Sequence, residues 1–271
     1  MRKLTLALFL LWIATLCQAQ SYMAPLPSSD ILNPGTPNHI RWGPEIGLNY
    51  NFFSSTQYIA DANAEGINYI GTDNDLEGSA SGFGFLAGIA VDFPISSSVG
   101  ILLSAHYDSK PVSKTANEPV TGPIFDQTTG ALIDSQTVIA SQTVKVTTNY
   151  FTLNPAIRFN IGEVYGFVGP SIGIALSGTA SFTSTLPESP NDSLYYNFNT
   201  PQQSRTATTG DLAVPDMKTR VALDLGVGKY FEIAPKTFLV PEIDLDLGLT
   251  DINNAAAKMS SIQLILGLRF E

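Results

Sequence analysis

Apolar residues occupy every second position through several stretches of this chain. In the first stretch, residues 42–53, Ile46 and Leu48 alternate with Glu45 and Asn49. A period of two is that of a β-strand, because successive side chains point to opposite faces. The same alternation recurs near 82–93, 99–109, 151–160, 168–177, 220–228, 239–248 and 261–270. The sequence therefore predicts eight strands, each with one apolar face and one polar or small-residue face.

The connections between the predicted strands alternate between short and long. Residues 95–98, Gly162 with Glu163, and residues 234–236 form short links. The connections near 54–81, 110–145, 178–218 and 250–258 are polar and mostly long. Short turns on one rim and long loops on the other are typical of outer-membrane barrels, and strands of about 11 or 12 residues suffice to cross that membrane. The pattern predicts an all-β fold, an eight-stranded antiparallel transmembrane up-and-down β-barrel with short periplasmic turns and long extracellular loops.

Aromatic residues gather near the predicted strand ends, where such barrels place aromatic girdles at the membrane interfaces. The outer girdle is predicted to contain Tyr50, Phe52, Phe83, Tyr107, Tyr150 and Phe151. The periplasmic girdle is predicted to contain Trp42, Phe93, Phe159, Tyr165, Tyr230, Phe231, Phe238 and Phe270. The alternative is a soluble ligand-binding barrel with Phe and Leu packed inside. Such a barrel has no reason to alternate its turn lengths or to carry a polar face on each strand.

The N-terminal residues have the layout of a secretory signal peptide. Arg2 and Lys3 precede an apolar run at 4–16, and Ala19 supplies a small-residue cleavage site. The run is shorter than the roughly 20 residues of a membrane-spanning helix. Cys17 suggests a lipoprotein signal as an alternative, but a bulky leucine precedes it where such signals carry a small residue. We predict a signal peptide at 1–19, a Pro-rich periplasmic linker at 20–41 and an outer-membrane β-barrel at 42–271.

The composition is consistent with an envelope protein and narrows the chemistry. Hydrophobic residues make up 44% of the chain and charged residues only 14%. The formal charge is −10, and removal of Arg2 and Lys3 with the signal peptide leaves −12, which disfavours nucleic acid as a partner. Cleavage after Ala19 also removes the single cysteine, so disulfides and thiolate metal sites are excluded from the mature chain. We expect no metal and no cofactor.

Short motifs in the predicted strands resemble those of the Bacteroidetes-type outer-membrane β-barrel domain, a family grouped with PorT-like and OmpA-like small barrels. They are PEIGL at 44–48, GPSIG at 169–173, PEI at 241–243 and LGLRF at 266–270. The resemblance implies residence in the cell outer membrane and assembly by the barrel insertion machinery. It also implies that Phe270 acts as the C-terminal assembly signal, although Glu271 follows it. Membership does not define an activity, because one fold hosts many functions.

The polar faces of the predicted strands place ten charged residues inside the barrel. They are Glu45, Asp92, Asp108, Arg158, Arg220, Asp224, Glu242, Asp244, Asp246 and Arg269. An eight-stranded barrel is only wide enough for side chains to fill it, so buried charges must pair or keep water. The first and last strands close the ring, which makes Glu45 and Arg269 the best candidate pair. The sequence therefore predicts a salt-bridged plug.

A filled barrel favours function in its loops. The leading hypothesis is a closed scaffold that presents extracellular loops for adhesion, assembly or secretion, since loops on a rigid frame are where binding varies. Residues 124–134 are predicted to form a hairpin that projects above the membrane. The expected partners are outer-membrane lipid, the insertion machinery and envelope or secretion proteins. The alternative is a narrow cation-favouring diffusion pore lined by Asp224, Asp244 and Asp246.

Enzyme and calcium hypotheses are weaker. Ser104 and His106 suggest the hypothesis of a lipid-modifying barrel enzyme. Both are predicted to face the lumen, however, whereas a bilayer substrate requires them to face lipid. We expect no enzymatic activity. Asp73, Asp75 and Glu77 resemble the start of a calcium loop, but a glycine stands where the bidentate glutamate is needed.

Overall fold

The computed structural model describes residues 39–54, 79–125, 132–187, 206–208, 211–214, 216–253 and 257–271. Its strands are β1 (Arg41–Phe53), β2 (Ala80–Pro94), β3 (Val99–Phe125), β4 (Leu132–Ile161), β5 (Val164–Thr185), β6 (Thr206–Thr208), β7 (Leu212–Ala213), β8 (Arg220–Lys229), β9 (Phe231–Ala234), β10 (Thr237–Gly248) and β11 (Met259–Phe270). Within these residues, no helix is long and apolar enough to cross a membrane.

Eight of the strands close into a ring. Each pairs antiparallel with its neighbour in the order β1, β2, β3, β4, β5, β8, β10 and β11, and β11 pairs back to β1. β9 continues β8 beyond Tyr230 and pairs with the start of β10. The short strands β6 and β7 pair with the C-terminal part of β5. The predicted eight-stranded antiparallel barrel is confirmed.

The two faces of the ring have opposite character, as the alternation predicts. On β1, Ile46 and Leu48 are each 63% exposed on the outside, whereas Glu45 and Asn51 are buried inside. The same division holds along β3, where Ile101 lies outside. Apolar side chains therefore cover the outer surface, and polar side chains line the lumen.

Three tight turns lie together at one rim, which we call the turn end. In the turn 95–98, the backbone amides of Ile95 and Ser96 donate to the Val99 carbonyl at 3.0 and 2.9 Å. Gly162 has a φ of 66° in the two-residue link between β4 and β5, a left-handed conformation that glycine adopts without strain. Pro235 and Lys236 link β9 to β10. The opposite rim is the loop end.

Three strands are much longer than predicted. β3 has 27 residues, β4 has 30 and β5 has 22, so a large part of the predicted loops at 110–145 and 178–218 is strand. Pairing of β3 with β4 continues from Val99 opposite Phe159 to Phe125 opposite Leu132. The prediction was wrong because it took polarity as the sign of a loop, whereas a strand outside the hydrocarbon does not need an apolar outer face. The paired backbone confirms the predicted hairpin, although its tip, residues 126–131, lies outside the described residues.

Four aromatic residues assigned to the interfacial girdles lie inside the barrel instead. Tyr150, Tyr165, Tyr230 and Phe238 are each at most 5% exposed. Space for the Tyr165 ring comes from the neighbouring strand, because a Cβ at Gly228 would lie 2.4 Å from it. The large ring therefore lies inside the barrel over a glycine of the adjacent strand. The outward members of the predicted girdles include Trp42, Phe83, Phe93, Tyr107, Phe151 and Phe159.

Replacing Leu48 with Arg should destabilise the barrel by about 2–4 kcal/mol, because this central β1 side chain lies on the face that we expect to meet lipid. Urea unfolding of the protein in lipid vesicles measures the change. Ile95→Arg is the matched control, since Ile95 is 65% exposed but lies in a turn at the rim. It should cost less than about 1 kcal/mol. Equal losses in the two variants would mean that the outer face of β1 does not contact hydrocarbon.

Candidate functional site

The lumen collects the ten charged residues predicted to line it. All of them are buried, and none is more than 5% exposed: Glu45, Asp92, Asp108, Arg158, Arg220, Asp224, Glu242, Asp244, Asp246 and Arg269. The strand alternation points them inward, and their positions along the strands divide them into three layers. We call these the turn-end, middle and loop-end layers.

The turn-end layer combines an ion pair with aromatic packing. Arg158 contacts Asp92, and the Tyr230 hydroxyl contacts the same carboxylate. Arg158 Nη1 also donates to the Tyr230 hydroxyl at 2.5 Å. The Arg41 guanidinium lies 3.8 Å from the centroid of the Phe238 ring. A buried apolar cluster surrounds this group and comprises Ala90, Leu102, Ala156, Tyr165, Phe167, Tyr230, Phe238 and Val240. These side chains fill the lumen at the turn end.

The middle layer contains the pair expected from closure of the ring. Arg269 on β11 contacts Glu45 on β1, and its Nη2 lies 3.4 Å from Glu242 Oε1. His106 contacts the other oxygen of Glu45. The Tyr165 hydroxyl donates to Glu242 at 2.7 Å. One arginine and one histidine therefore serve two glutamates.

The loop-end layer is held by a bidentate ion pair. Arg220 donates to both oxygens of Asp246 at 2.9 and 2.5 Å. Lys110 Nζ lies 2.9 Å from Asp108 and 3.6 Å from Asp246. Lys110 is fully buried, although the polar sequence around it predicts a loop. Its position two residues after Asp108, on the same strand face, was the signal that could have identified it.

An apolar cap covers the loop-end layer. It consists of Phe53, Ala80, Val112, Val146, Ala180, Val214, Ile252, Ala257 and Met259. Val214 and Ile252 come from the connections between strands. Backbone hydrogen bonds hold both in place, from Val214 N to the Gly178 carbonyl at 2.9 Å and from Lys218 N to the Ile252 carbonyl at 2.8 Å. The lumen is thus filled at both ends.

Between the two filled ends, residues of the middle layer line a cavity of about 10 Å³, roughly the space that one water molecule needs. Asp224, Asp244 and Ser104 are among its lining residues, together with His106. Asp246, the third residue of the predicted pore, is held by Arg220 instead. In the described part of the chain, no group of three or more His, Cys, Asp or Glu side chains is arranged to hold a metal ion. The predicted acidic motif at 73–77 lies outside that part.

A sequence model of the family described as outer membrane protein beta-barrel domain matches residues 18–254 of this chain. No curated protein matches the chain significantly.

Several solved structures resemble the chain over most of their length. Ail, the attachment invasion locus protein of Yersinia pestis, is 13% identical with a TM-score of 0.31, and the match covers 85% of this chain and 98% of Ail. Neisserial surface protein A is 12% identical with a TM-score of 0.33, covering 84% and 96%. The outer membrane protease OmpT of Escherichia coli is 10% identical with a TM-score of 0.33, covering 90% and 99%. Likenesses with identities and TM-scores this low do not support any transfer of activity.

Replacing Arg269 with Ala should destabilise the barrel by about 3–5 kcal/mol, because it leaves Glu242 buried without its cation and takes the arginine away from Glu45, which keeps its contact with His106. Denaturant unfolding of the refolded protein measures the loss. Lys229→Ala is the control, since Lys229 pairs with Glu163 at 3.3 Å near the surface, where a pair contributes about 1 kcal/mol or less. A stability of Arg269→Ala equal to that of the unmodified protein would show that the pair does not support the fold.

Proposed function

Since this chain belongs to the outer membrane protein beta-barrel domain family and resides in the cell outer membrane, we propose that it is a closed scaffold whose loop end acts outside the cell. The observation that carries this proposal is the filling of the lumen at both ends, by the Tyr230 and Phe238 aromatic cluster and by the Val214 and Ile252 cap. A barrel without an open interior exerts its function through its surfaces. Among the described residues, the strands that continue well beyond the ring do so at the loop end.

The longest strands build that surface. Pairing of β2 with β3 ends at Ser81 opposite Ser113, but β3 and β4 remain paired to Phe125 opposite Leu132. The remaining 12 residues of β3, 114–125, span ~40 Å along the strand at ~3.3 Å per residue. We call this part of β3, with the paired residues of β4 and the end of β5, the three-strand extension.

The side chains at the base of the extension favour water over lipid. Thr115 and Thr143 hydroxyls lie 2.8 Å apart across β3 and β4. On the next pair of strands, Asn149 donates to the Ser177 hydroxyl at 2.9 Å. Polar cross-strand pairs of this kind stabilise a sheet without apolar packing. They support an extracellular position for the extension, where adhesion, assembly or secretion partners can reach it.

The two alternative functions receive less support. A cation pore requires a continuous path, whereas both ends of the lumen are packed and Asp246 is bound to Arg220. A lipid-modifying enzyme requires accessible catalytic groups, whereas Ser104 and His106 are 7% and 3% exposed and line the lumen. We therefore propose a role without catalysis.

We also propose a family subgroup, a role for Phe270 in assembly and a lipid partner. The motif at 266–270 supports a PorT-like or OmpA-like relationship and recognition of Phe270 by the barrel insertion machinery. Phe270 packs on Trp42, with ring centroids 6.0 Å apart, at the turn end of the closing seam. The apolar outer face supports outer-membrane lipid as a partner. The signal peptide at 1–19 is a prediction that lies outside the described residues.

The refolded protein should insert into a planar bilayer without producing discrete conductance steps, because its lumen is filled. Asp244→Asn should be equally silent. Heat-dependent migration of the same preparation on gels verifies that the barrel is folded in both cases. Cation-selective steps that Asp244→Asn weakens would establish an acidic pore and overturn the closed scaffold.

Cysteine labelling on intact cells should show which rim is extracellular. The predicted mature chain lacks cysteine, so Thr128→Cys places one thiol in the connection between β3 and β4, and Lys236→Cys places one in a turn. A membrane-impermeant maleimide should label Thr128→Cys on intact cells and Lys236→Cys only after lysis. The reverse pattern would place the extension in the periplasm and contradict the proposed function.

A further inference from the structure

Three buried oxygen atoms around the middle cavity have no hydrogen-bond partner among the described residues. They are Oδ1 of Asp224, Oδ1 of Asp244 and Oδ1 of Asn154. Their residues are 3%, 3% and 7% exposed, and all three line the cavity of about 10 Å³. Buried polar atoms normally have partners, so three unpaired oxygens on residues that line one cavity require an explanation.

The amide and cationic donors of the middle layer already have other partners. Asn154 Nδ2 donates to Oδ2 of Asp224 at 3.1 Å. The Oδ1 atoms of the two residues take no part in this hydrogen bond. Arg269 and His106 bind Glu45, and Arg269 also approaches Glu242. Among the described residues, no arginine or lysine forms a salt bridge with Asp224 or Asp244.

The charges of the middle layer do not balance. Four carboxylates, on Glu45, Glu242, Asp224 and Asp244, face Arg269 and His106. If all four carboxyl groups are ionised, two negative charges remain uncompensated even when His106 carries a proton. Buried charges without partners are strongly unfavourable in an interior of low dielectric constant.

We propose that the cavity binds one hard divalent cation of the Ca²⁺ class through Asp224, Asp244 and Asn154. Carboxylate and amide oxygens are the ligands that Ca²⁺ prefers, and Ser104 Oγ lines the same cavity as a further oxygen. A divalent ion cancels the two excess charges.

The backbone makes room for this site. Gly226 pairs with Asp244 across β8 and β10, and a Cβ at Gly226 would lie 2.5 Å from Asp244 Oδ1. The glycine therefore lets the carboxylate lie close to the barrel wall. This site concerns the lumen alone, so it is independent of the proposed role of the loop end.

The test is to refold the full protein in detergent with either Ca²⁺ or EDTA and to measure bound metal and thermal unfolding. We expect one Ca²⁺ per barrel and a higher unfolding temperature in Ca²⁺ than in EDTA. Asp244→Asn should bind Ca²⁺ at least 10-fold more weakly. It should also be at least as stable as the unmodified protein in EDTA, because it removes one of the repelling charges.

Glu232→Gln is the matched control, since Glu232 is an exposed acid at the turn end, and it should retain the metal and the stabilisation. Equal loss in Glu232→Gln and Asp244→Asn would place the ion elsewhere and overturn the proposal. Stabilisation by Na⁺ equal to that by Ca²⁺ would overturn the divalent assignment. If the unmodified protein binds no metal and unfolds identically in Ca²⁺ and EDTA, the proposal is wrong and protons or water balance the site. That last measurement needs no variant.

Discussion

Pairing between β1 and β11 joins the two ends of the sheet, and the rest of the structure depends on this seam. It runs from Trp42 opposite Phe270 to Phe53 opposite Met259. Hydrocarbon offers no partners for backbone N–H and C=O groups, so a sheet in a membrane must close on itself. Closure with eight strands also sets the interior width, which is just enough for side chains. Lipid outside and a narrow lumen inside then impose opposite demands on alternate residues.

The narrow lumen makes the buried charges responsible for specificity as well as for stability. Arg269 and Glu45 are 224 residues apart in sequence, and Arg158 and Asp92 are 66 apart. A slip of one residue in the pairing of any strand would turn its polar face toward lipid and its apolar face toward these charges. The ion pairs therefore disfavour alternative registers. Breaking a buried pair leaves a charge without a partner in the interior, a cost that a surface pair does not carry.

A rigid, filled barrel separates anchoring from function. The ring holds β3, β4 and β5 in place, and these strands continue past the rim as the three-strand extension. Hydroxyl and amide pairs such as Thr115 with Thr143 replace the apolar outer face found along the ring. The surface beyond the rim can therefore vary without disturbing the strands that cross the membrane. The unbalanced carboxylates Asp224 and Asp244 lie deep in the ring, where a bound ion would act on stability.

Alternation of apolar and polar residues was enough to predict the strands of the ring, their tight turns and the inward direction of residues such as Glu45 and Arg269. A period of two defines the side of the strand on which a residue lies, and nothing more. It does not show where hydrocarbon ends, so the continuation of β3 beyond Lys110 was missed. It also does not show what lies opposite: Tyr165 is on the same inward face as Ser171, and its large ring fits there because Gly228 leaves space for it. Contacts across the lumen and the cap of Val214 and Ile252 were decided only when the closed ring brought distant segments together.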